Sequence, residues 1–153
     1  MLDLTLITVG KIKNGAFKAA ADDYLKRIKP FARLEIIEVR PEPFDDGNKE
    51  KAKREEAFRI QEIILRKKGA QVYLLAEEGH DWDSVSLAKH LEKVNGPIVL
   101  IIAGALGWPE ELRQKYPRIS LSRLTMPHEL ARVVLLEQLY RAALILAGKE
   151  YHY

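Results

Sequence analysis

The sequence predicts an α/β protein in which a single domain, residues 1–153, is built on a parallel sheet. Apolar segments typical of strands alternate with segments typical of helices along the whole chain, and neither half is all-helix or all-strand. One segment, Ile98–Ala103, is apolar at every position, as expected at the centre of a parallel sheet. A chain of 153 residues suits one core, and no linker, repeat or low-complexity segment interrupts it.

Five segments are predicted to be strands, because their apolar residues alternate or run continuously between turn residues. In the first, Leu2, Leu4 and Leu6 alternate with polar residues before Gly10. The other four segments are Leu34–Val39, Gln71–Ala76, Ile98–Ala103 and Arg118–Leu121.

Five helices are predicted between and after these strands, from apolar faces at helical spacing and from signals at their ends. Asn14 is placed to cap the first helix, Gly69 to end the second, and Pro109 to open the fourth. The predicted bounds are Asn14 to Pro30, Lys49–Lys68, Ser84 or Ser86 to Asn95, a helix after Pro109, and about His128 to Ala147.

Composition and missing motifs exclude several classes of function. The chain has no Cys, which excludes disulfides, thiolate zinc sites, iron–sulfur clusters and a Cys nucleophile. The four His lack metal-ligand spacing, so we expect no metal site. The P-loop, the dinucleotide-binding G-x-G-x-x-G and the hydrolase G-x-S-x-G are also missing.

The sequence also bounds the location and the partners of the chain. It shows neither a signal-peptide pattern nor an apolar run of the about 20 residues that a membrane span needs, so we expect a cytoplasmic protein without a membrane partner. The net charge of +3 tolerates a polyanionic partner without requiring one.

Three predicted loops follow carboxyl ends of strands, where open α/β sheets bind their ligands. They are Glu77–Gly79, Gly104–Gly107 and Ser122–Pro127. Glycine lets a ligand approach the backbone, and the amides and hydroxyls of the third loop are suited to a polar heterocycle. Each loop alone is equally compatible with a plain turn or crossover, but three at one sheet edge favour a pocket.

The last predicted helix is apolar on every side, which indicates burial on all sides. We expect a homodimer interface along it; the alternative is a helix covered only by its own chain. Arg132 lies among apolar neighbours on this helix and needs a partner, for which Glu129 is the simplest expectation. Tyr151 and His152, near the C-terminus, either serve a site or dock the tail structurally.

Four segments together resemble the RlmH family, SPOUT-class methyltransferases that methylate N3 of a pseudouridine in 23S ribosomal RNA. The segments are Ile98–Gly107 (IVLIIAGALG), Leu121–Arg132 (LSRLTMPHELAR), Leu136–Arg141 (LEQLYR) and the terminal Tyr151-His152. The resemblance spans essentially the whole chain. It departs from the family pattern at Ala103, where Gly is usual, and at Leu106, where an acidic or polar residue is common.

The resemblance implies a C-terminal trefoil knot, a homodimer, S-adenosylmethionine as cofactor and ribosomal RNA as substrate. Because the net charge is small and no further RNA-binding module is recognised in the sequence, we expect a shaped substrate, such as RNA within an assembled ribosome. The residues implied to contact the cofactor are Leu75, Ala103, Gly104, Leu121, Ser122, Arg123, Leu124, Thr125 and Met126. Those implied to meet the substrate are His128, Arg132, Tyr151 and His152, the tail of one subunit reaching the cofactor of the other. The departures leave open an alternative function, a non-catalytic RNA- or ribosome-binding protein of the same fold.

Overall fold

Five strands form one parallel sheet in a computed structural model that describes residues 1–151. Each strand pair in the described residues is parallel, and the spatial order of the strands is β2-β1-β4-β3-β5. The strands are β1 (Leu2–Val9), β2 (Ala32–Val39), β3 (Gln71–Asp81), β4 (Ile98–Ile102) and β5 (Arg118–Ser120). This arrangement confirms the predicted α/β class.

Helices cover both faces of the sheet, and the sheet separates the core into two apolar clusters. The helices are α1 (Gly15–Ile28), α2 (Lys49–Arg66), α3 (Ser84–Glu92), α4 (Glu110–Lys115) and α5 (His128–Leu146). One apolar cluster joins α1, α3 and α5 to one face of the sheet, and a second joins α2 and α4 to the other. All five residues of β4 are buried because both of its faces are covered, which explains its continuous apolar sequence.

Several ends of the helices differ from the predictions. α2 ends at Arg66, with Lys67 and not Gly69 as its C-cap, and α3 ends at Glu92. Asn14 caps α1 as predicted, since its side chain accepts hydrogen bonds from the backbone N–H groups of the first turn. The cap of α3 is Asp83, whose carboxylate accepts from the Ser86 N–H at 2.7 Å, rather than a serine. Pro109 is the N-cap of α4 and not its first helical residue.

The third strand continues five residues beyond its predicted end at Ala76, along an irregular path. Both Leu75 and His80 lie opposite Ile119 of β5, so the intervening residues leave the ladder and return to it. Where β3 returns, a Cβ on Gly79 would lie 2.6 Å from the carbonyl carbon of Ile119. The backbones of the two strands therefore touch at a point where only glycine fits.

The last helix is covered largely by its own chain. It packs against the sheet and between α1 and α3, and each residue from Glu129 to Leu146 is buried or partly buried. The sequence left two explanations for this helix, a dimer interface or cover by its own chain, and the second accounts for most of its surface. The all-round apolar sequence of α5 therefore does not by itself require a second subunit. Leu130 and Val134 are partly exposed and belong to neither core cluster.

Candidate active site

A cleft of about 560 Å³ opens beside Leu75–Glu78 of β3 and beyond the carboxyl ends of β4 and β5. Two of the three predicted loops, those after β4 and β5, line it, whereas the third, Glu77–Gly79, is not a loop but part of β3, because this strand continues to Asp81. Its volume is within the range of small-molecule sites. It is lined by most of the residues assigned to the cofactor above, namely Leu75, Ala103, Gly104, Leu121, Ser122, Leu124, Thr125 and Met126. Arg123 is exposed and does not line the cleft.

The buried side chain of Trp108 joins two walls of the cleft. Its indole N–H donates to the carbonyl oxygen of Leu75 at 3.0 Å, which ties the segment after β4 to the point where β3 leaves its regular ladder with β5. Sequence analysis treated Trp108 only as part of a helix start. The available signal was the indole N–H itself, because a buried Trp usually finds an acceptor.

Gly104 lies where the protein leaves no room for a side chain. A Cβ there would lie 3.0 Å from Cγ1 of Val9 and 3.3 Å from Oε1 of Glu56. The turn after β4 therefore rests directly on β1 and on α2. A larger residue at Gly104 would push this turn away from its support, whatever it did to a ligand.

Glu56 is a buried carboxyl beneath this turn, and sequence analysis missed it. Burial raises its pKa above the ordinary value of 4.5, and a hydrogen bond from the Glu42 N–H to Oε2, 2.9 Å long, opposes that rise. The same side chain thus contacts the loop after β2 and the turn after β4. We therefore assign Glu56 a structural role, in which it links these two segments.

The loop Ser122–Met126 offers backbone donors to the cleft. Among its five residues, one N–H, that of Leu124, bonds to another described group of the protein, the Ser122 hydroxyl at 3.0 Å. The other amides face no acceptor within the described residues. The loop therefore has the free N–H groups that a bound polar heterocycle can accept from.

The partner of Arg132 is Glu38 and not Glu129, which corrects the expectation above. Arg132 is buried, and its Nη1 donates to Glu38 Oε2 at 2.8 Å and to the Thr8 hydroxyl at 3.3 Å. Its Nε is also buried and has no hydrogen-bond partner among the described residues. His128, one turn earlier on α5, lines both the cleft and a small cavity that Arg132 also lines. The structure thus brings His128 and Arg132 together at this small cavity, beside the cleft that His128 also lines.

Glu129 instead holds the loop between β1 and α1. Its Oε1 accepts from the backbone N–H groups of Lys13, at 2.6 Å, and Asn14, at 3.0 Å. The bond from Asn14 is the main cause that lowers the pKa of Glu129 below 4.5. The carboxylate therefore fixes this loop against the first turn of the last helix.

Tyr151 lies far from the cleft of its own chain. Its ring packs against Tyr140, with centroids 4.9 Å apart, and beneath the guanidinium of Arg141, also at 4.9 Å. Tyr140 follows His128 by twelve residues, about 18 Å along a helix. The structure does not bring Tyr151 to His128 and Arg132, and His152 lies outside the described residues.

Residues 1–151 also bear on metal ligation and on membrane insertion. No group of three or more Asp, Glu or His in this range is arranged to hold a metal ion. In the same range, no helix is both long enough and apolar enough to cross a bilayer.

The fold and the cleft define an α/β protein with a candidate ligand site at the edge of a parallel sheet where such folds bind their ligands. A family model described as "Predicted SPOUT methyltransferase" matches residues 2–152. The chain belongs to the SPOUT methyltransferase family.

Curated relatives identify the branch of that family. Proteins named "Ribosomal RNA large subunit methyltransferase H" from Ligilactobacillus salivarius and Lactobacillus acidophilus are 38% and 36% identical to this chain. The same name is carried by a protein of Ruminiclostridium cellulolyticum that is 36% identical. Each alignment covers 99% of this chain and 99% of the relative, which confirms the resemblance to the RlmH family.

Solved structures share the fold at low sequence identity. One, "a probable methylase family protein" from Haemophilus influenzae, superposes with a TM-score of 0.62 at 14% identity, over 100% of this chain and 72% of the other. A second, from work on "2-OH methylation of C/U34 on tRNA", gives a TM-score of 0.55 at 15% identity, over 97% of this chain and 99% of that one.

Proposed function

We propose that this protein is a cytoplasmic, S-adenosylmethionine-dependent methyltransferase that methylates N3 of a pseudouridine in 23S ribosomal RNA. The observation that carries the proposal is the cleft beside β3 and the carboxyl ends of β4 and β5, with His128 on its wall and Arg132 in the adjoining small cavity that His128 shares. Family membership and the names of the relatives support it.

The residues of the cleft fit the cofactor. The cleft has a volume suited to a nucleoside, and the N–H groups of its lining residues Ser122, Thr125 and Met126 suit an adenine ring. Leu75 and Gly104 would form the opposite wall, held in place by Trp108 and Glu56. When bound, S-adenosylmethionine supplies an electrophilic methyl group.

Transfer of a methyl group to a ring nitrogen requires alignment of the two reacting atoms and removal of the N3 proton. No Cys is present to form a covalent intermediate, so direct transfer is the economical route. His128 is exposed on the cleft wall, and a neutral imidazole has a ring nitrogen that can accept the N3 proton. Arg132, fixed by Glu38 and Thr8, directs its remaining N–H groups towards the base or a flanking phosphate.

The C-terminal tail acts on the partner's cleft in a knotted homodimer, as the resemblance to the family implies. The separation between Tyr151 and His128 within one chain supports this arrangement. The partly exposed apolar residues Leu130 and Val134 supply an outer face of α5 for the dimer contact. The substrate is the RNA within an assembled ribosome.

Mixed dimers test the cofactor site and the tail together. Thr125→Pro removes one backbone N–H from the cofactor loop, and deletion of Tyr151–Tyr153 removes the tail. Thr125→Pro is preferred to a change at Gly104, where a side chain would meet Val9 and Glu56. Calorimetry should show loss of S-adenosylmethionine binding in the first variant and unchanged affinity in the second.

Each variant alone should fail to methylate ribosomes that lack the modification, whereas the refolded mixture should regain activity. Random pairing makes about half of the dimers mixed, each with one complete site, so about a quarter of wild-type activity is expected. A mixture as inactive as its components would refute action of the tail on the partner. A wild-type protein that binds ribosomes but not S-adenosylmethionine would favour the non-catalytic alternative.

A further inference from the structure

The loop between β1 and α1, residues Gly10–Asn14, is held rigidly although it lies at the surface. The Gly10 N–H donates to the Val39 carbonyl at 2.8 Å, and the Glu129 carboxylate binds the N–H groups of Lys13 and Asn14. Asn14 is fixed further as the cap of α1. The backbone donors of the loop's second half are thus used internally, and its side chains are what it offers to a partner.

Three cations lie on this loop and beside it. Lys11 and Lys13 are exposed, and so is Arg40, which directly follows Val39, the residue that bonds to Gly10. Within the part of the chain that the structure describes, none of the three side chains forms an ion pair, whereas Lys18, Lys53 and Lys67 each pair with an acid. We call Lys11, Lys13 and Arg40 the basic rim.

The basic rim adjoins the reacting end of the site. Lys11 lines the small cavity that His128 and Arg132 share, and Lys13 is joined through its backbone to Glu129, the residue after His128. A substrate that presents a base to His128 and Arg132 must place the neighbouring part of its chain near this rim. For an RNA, that part is a phosphodiester backbone, which lysine and arginine bind by charge and hydrogen bonding.

We propose that the basic rim binds phosphates of the substrate RNA next to the target nucleotide, and that Glu129 is a positioning residue for the loop that carries two of the three cations. This inference rests on the proposed function, because it takes RNA as the substrate. Each cation–phosphate contact releases condensed counterions, so binding through the rim weakens as salt rises.

The test compares two triple variants with the same change in net charge. The rim variant is Lys11→Ala, Lys13→Ala and Arg40→Ala. The control replaces Lys29, Lys68 and Lys93, which are exposed just before β2, β3 and β4 and so lie at the opposite edge of the sheet. Affinity for unmethylated ribosomes is measured from about 50 to 200 mM KCl at constant Mg²⁺.

The rim variant should lose about tenfold or more in affinity, and its plot of log K against log salt should become shallower by about 0.7 for each lost contact. The control variant should keep the wild-type slope, and both should keep wild-type affinity for S-adenosylmethionine. Equal slopes for the two variants would overturn the proposal. Failure of the wild-type protein to methylate ribosomes would instead refute the proposed function, since the binding assay does not depend on methyl transfer.

Glu129→Ala provides a second measurement. The loss of its charge and the loss of its hold on the loop predict opposite changes in ribosome affinity. Loss of a negative charge beside the rim would tighten RNA binding if only the total charge mattered. The proposal expects weaker ribosome binding, because the loop loses both of its bonds to α5. Tighter binding by a variant with unchanged S-adenosylmethionine affinity would overturn the role of Glu129.

Discussion

Replacement of Gly79 by alanine should damage the protein far more than the addition of one methyl group suggests. The ideal Cβ position lies 2.6 Å from the Ile119 carbonyl carbon, 2.7 Å from the Ser120 nitrogen and 2.8 Å from the Arg118 carbonyl carbon. All three atoms are backbone atoms of β5, so no side chain can rotate away. The two strands must separate by roughly 0.8 Å to restore an ordinary contact.

A separation of this size has a calculable cost. It would stretch a neighbouring bond, such as the 2.9 Å contact from the Leu74 N–H to the Pro117 carbonyl, beyond hydrogen-bonding range. Overpacking costs about 1–3 kcal/mol and each lost hydrogen bond about 1 kcal/mol. The free energy of unfolding should therefore fall by about 2–5 kcal/mol, which lowers Tm by about 4–20 °C in a chain of this size. Because β5 leads into the loop Ser122–Met126, S-adenosylmethionine affinity should fall as well.

Urea unfolding followed by circular dichroism, together with calorimetry for the cofactor, measures both effects. Gly15→Ala is the matched control, since nothing lies within 4 Å of a Cβ at this first residue of α1. There the change should be neutral or stabilise the protein by up to about 1 kcal/mol. If Gly79→Ala were as stable as Gly15→Ala and bound the cofactor equally well, the close contact between β3 and β5 would be wrong.

Three further predictions follow from contacts around the site. Glu38→Gln keeps the shape of the side chain that holds Arg132 but removes its charge, so kcat for ribosome methylation should fall about tenfold or more while S-adenosylmethionine affinity is unchanged. Burial raises the pKa of Glu56, so the native state binds this proton more tightly than the unfolded state. The contribution of Glu56 to stability should therefore fall as pH rises from 4.5 through the native pKa, and urea titrations should show the stability of wild type falling relative to that of Glu56→Gln over this range. Val134→Asp should yield folded monomers in light scattering, because it adds a charge to the outer face of α5. Leu136→Asp should instead unfold the chain, because Leu136 is 0% exposed and its replacement would bury a charge.

Each of these predictions has a clear contrary result. Wild-type kcat for Glu38→Gln would show that the pairing of Arg132 does not matter for transfer. A stability difference between Glu56→Gln and wild type that stays constant with pH would show that Glu56 does not titrate differently on folding. A dimeric Val134→Asp protein would exclude the outer face of α5 from the interface.

The elements of the fold could be predicted because their signals are local. The apolar run of β4 and the cap at Asn14 depend on neighbours in sequence, and the structure confirms both. The location of the cleft followed from one general property, since a parallel sheet brings the carboxyl ends of its strands to one edge. That argument needs no knowledge of which side chains touch.

The contacts that support the site could not be predicted in this way, because their partners are distant in sequence. Arg132 pairs with Glu38, which is 94 positions away, and not with the adjacent turn of its own helix. The Trp108 indole reaches the Leu75 carbonyl across 33 positions. Helical spacing alone favoured Glu129, but Glu129 is already occupied by two backbone N–H groups.

The position of β5 at the edge of the sheet also determines which surfaces stay uncovered while the chain is being synthesised. Among the strands of residues 1–151, β5 pairs only with β3, so β3 has one open edge until residues 118–120 have been made. α5 is made later still, and until then the faces of α1 and α3 that it covers remain bare. An open strand edge beside bare apolar faces favours aggregation. A nonsense mutation shortly before Arg118 should therefore yield an insoluble product, removed by proteolysis, rather than a soluble protein that has merely lost its cofactor.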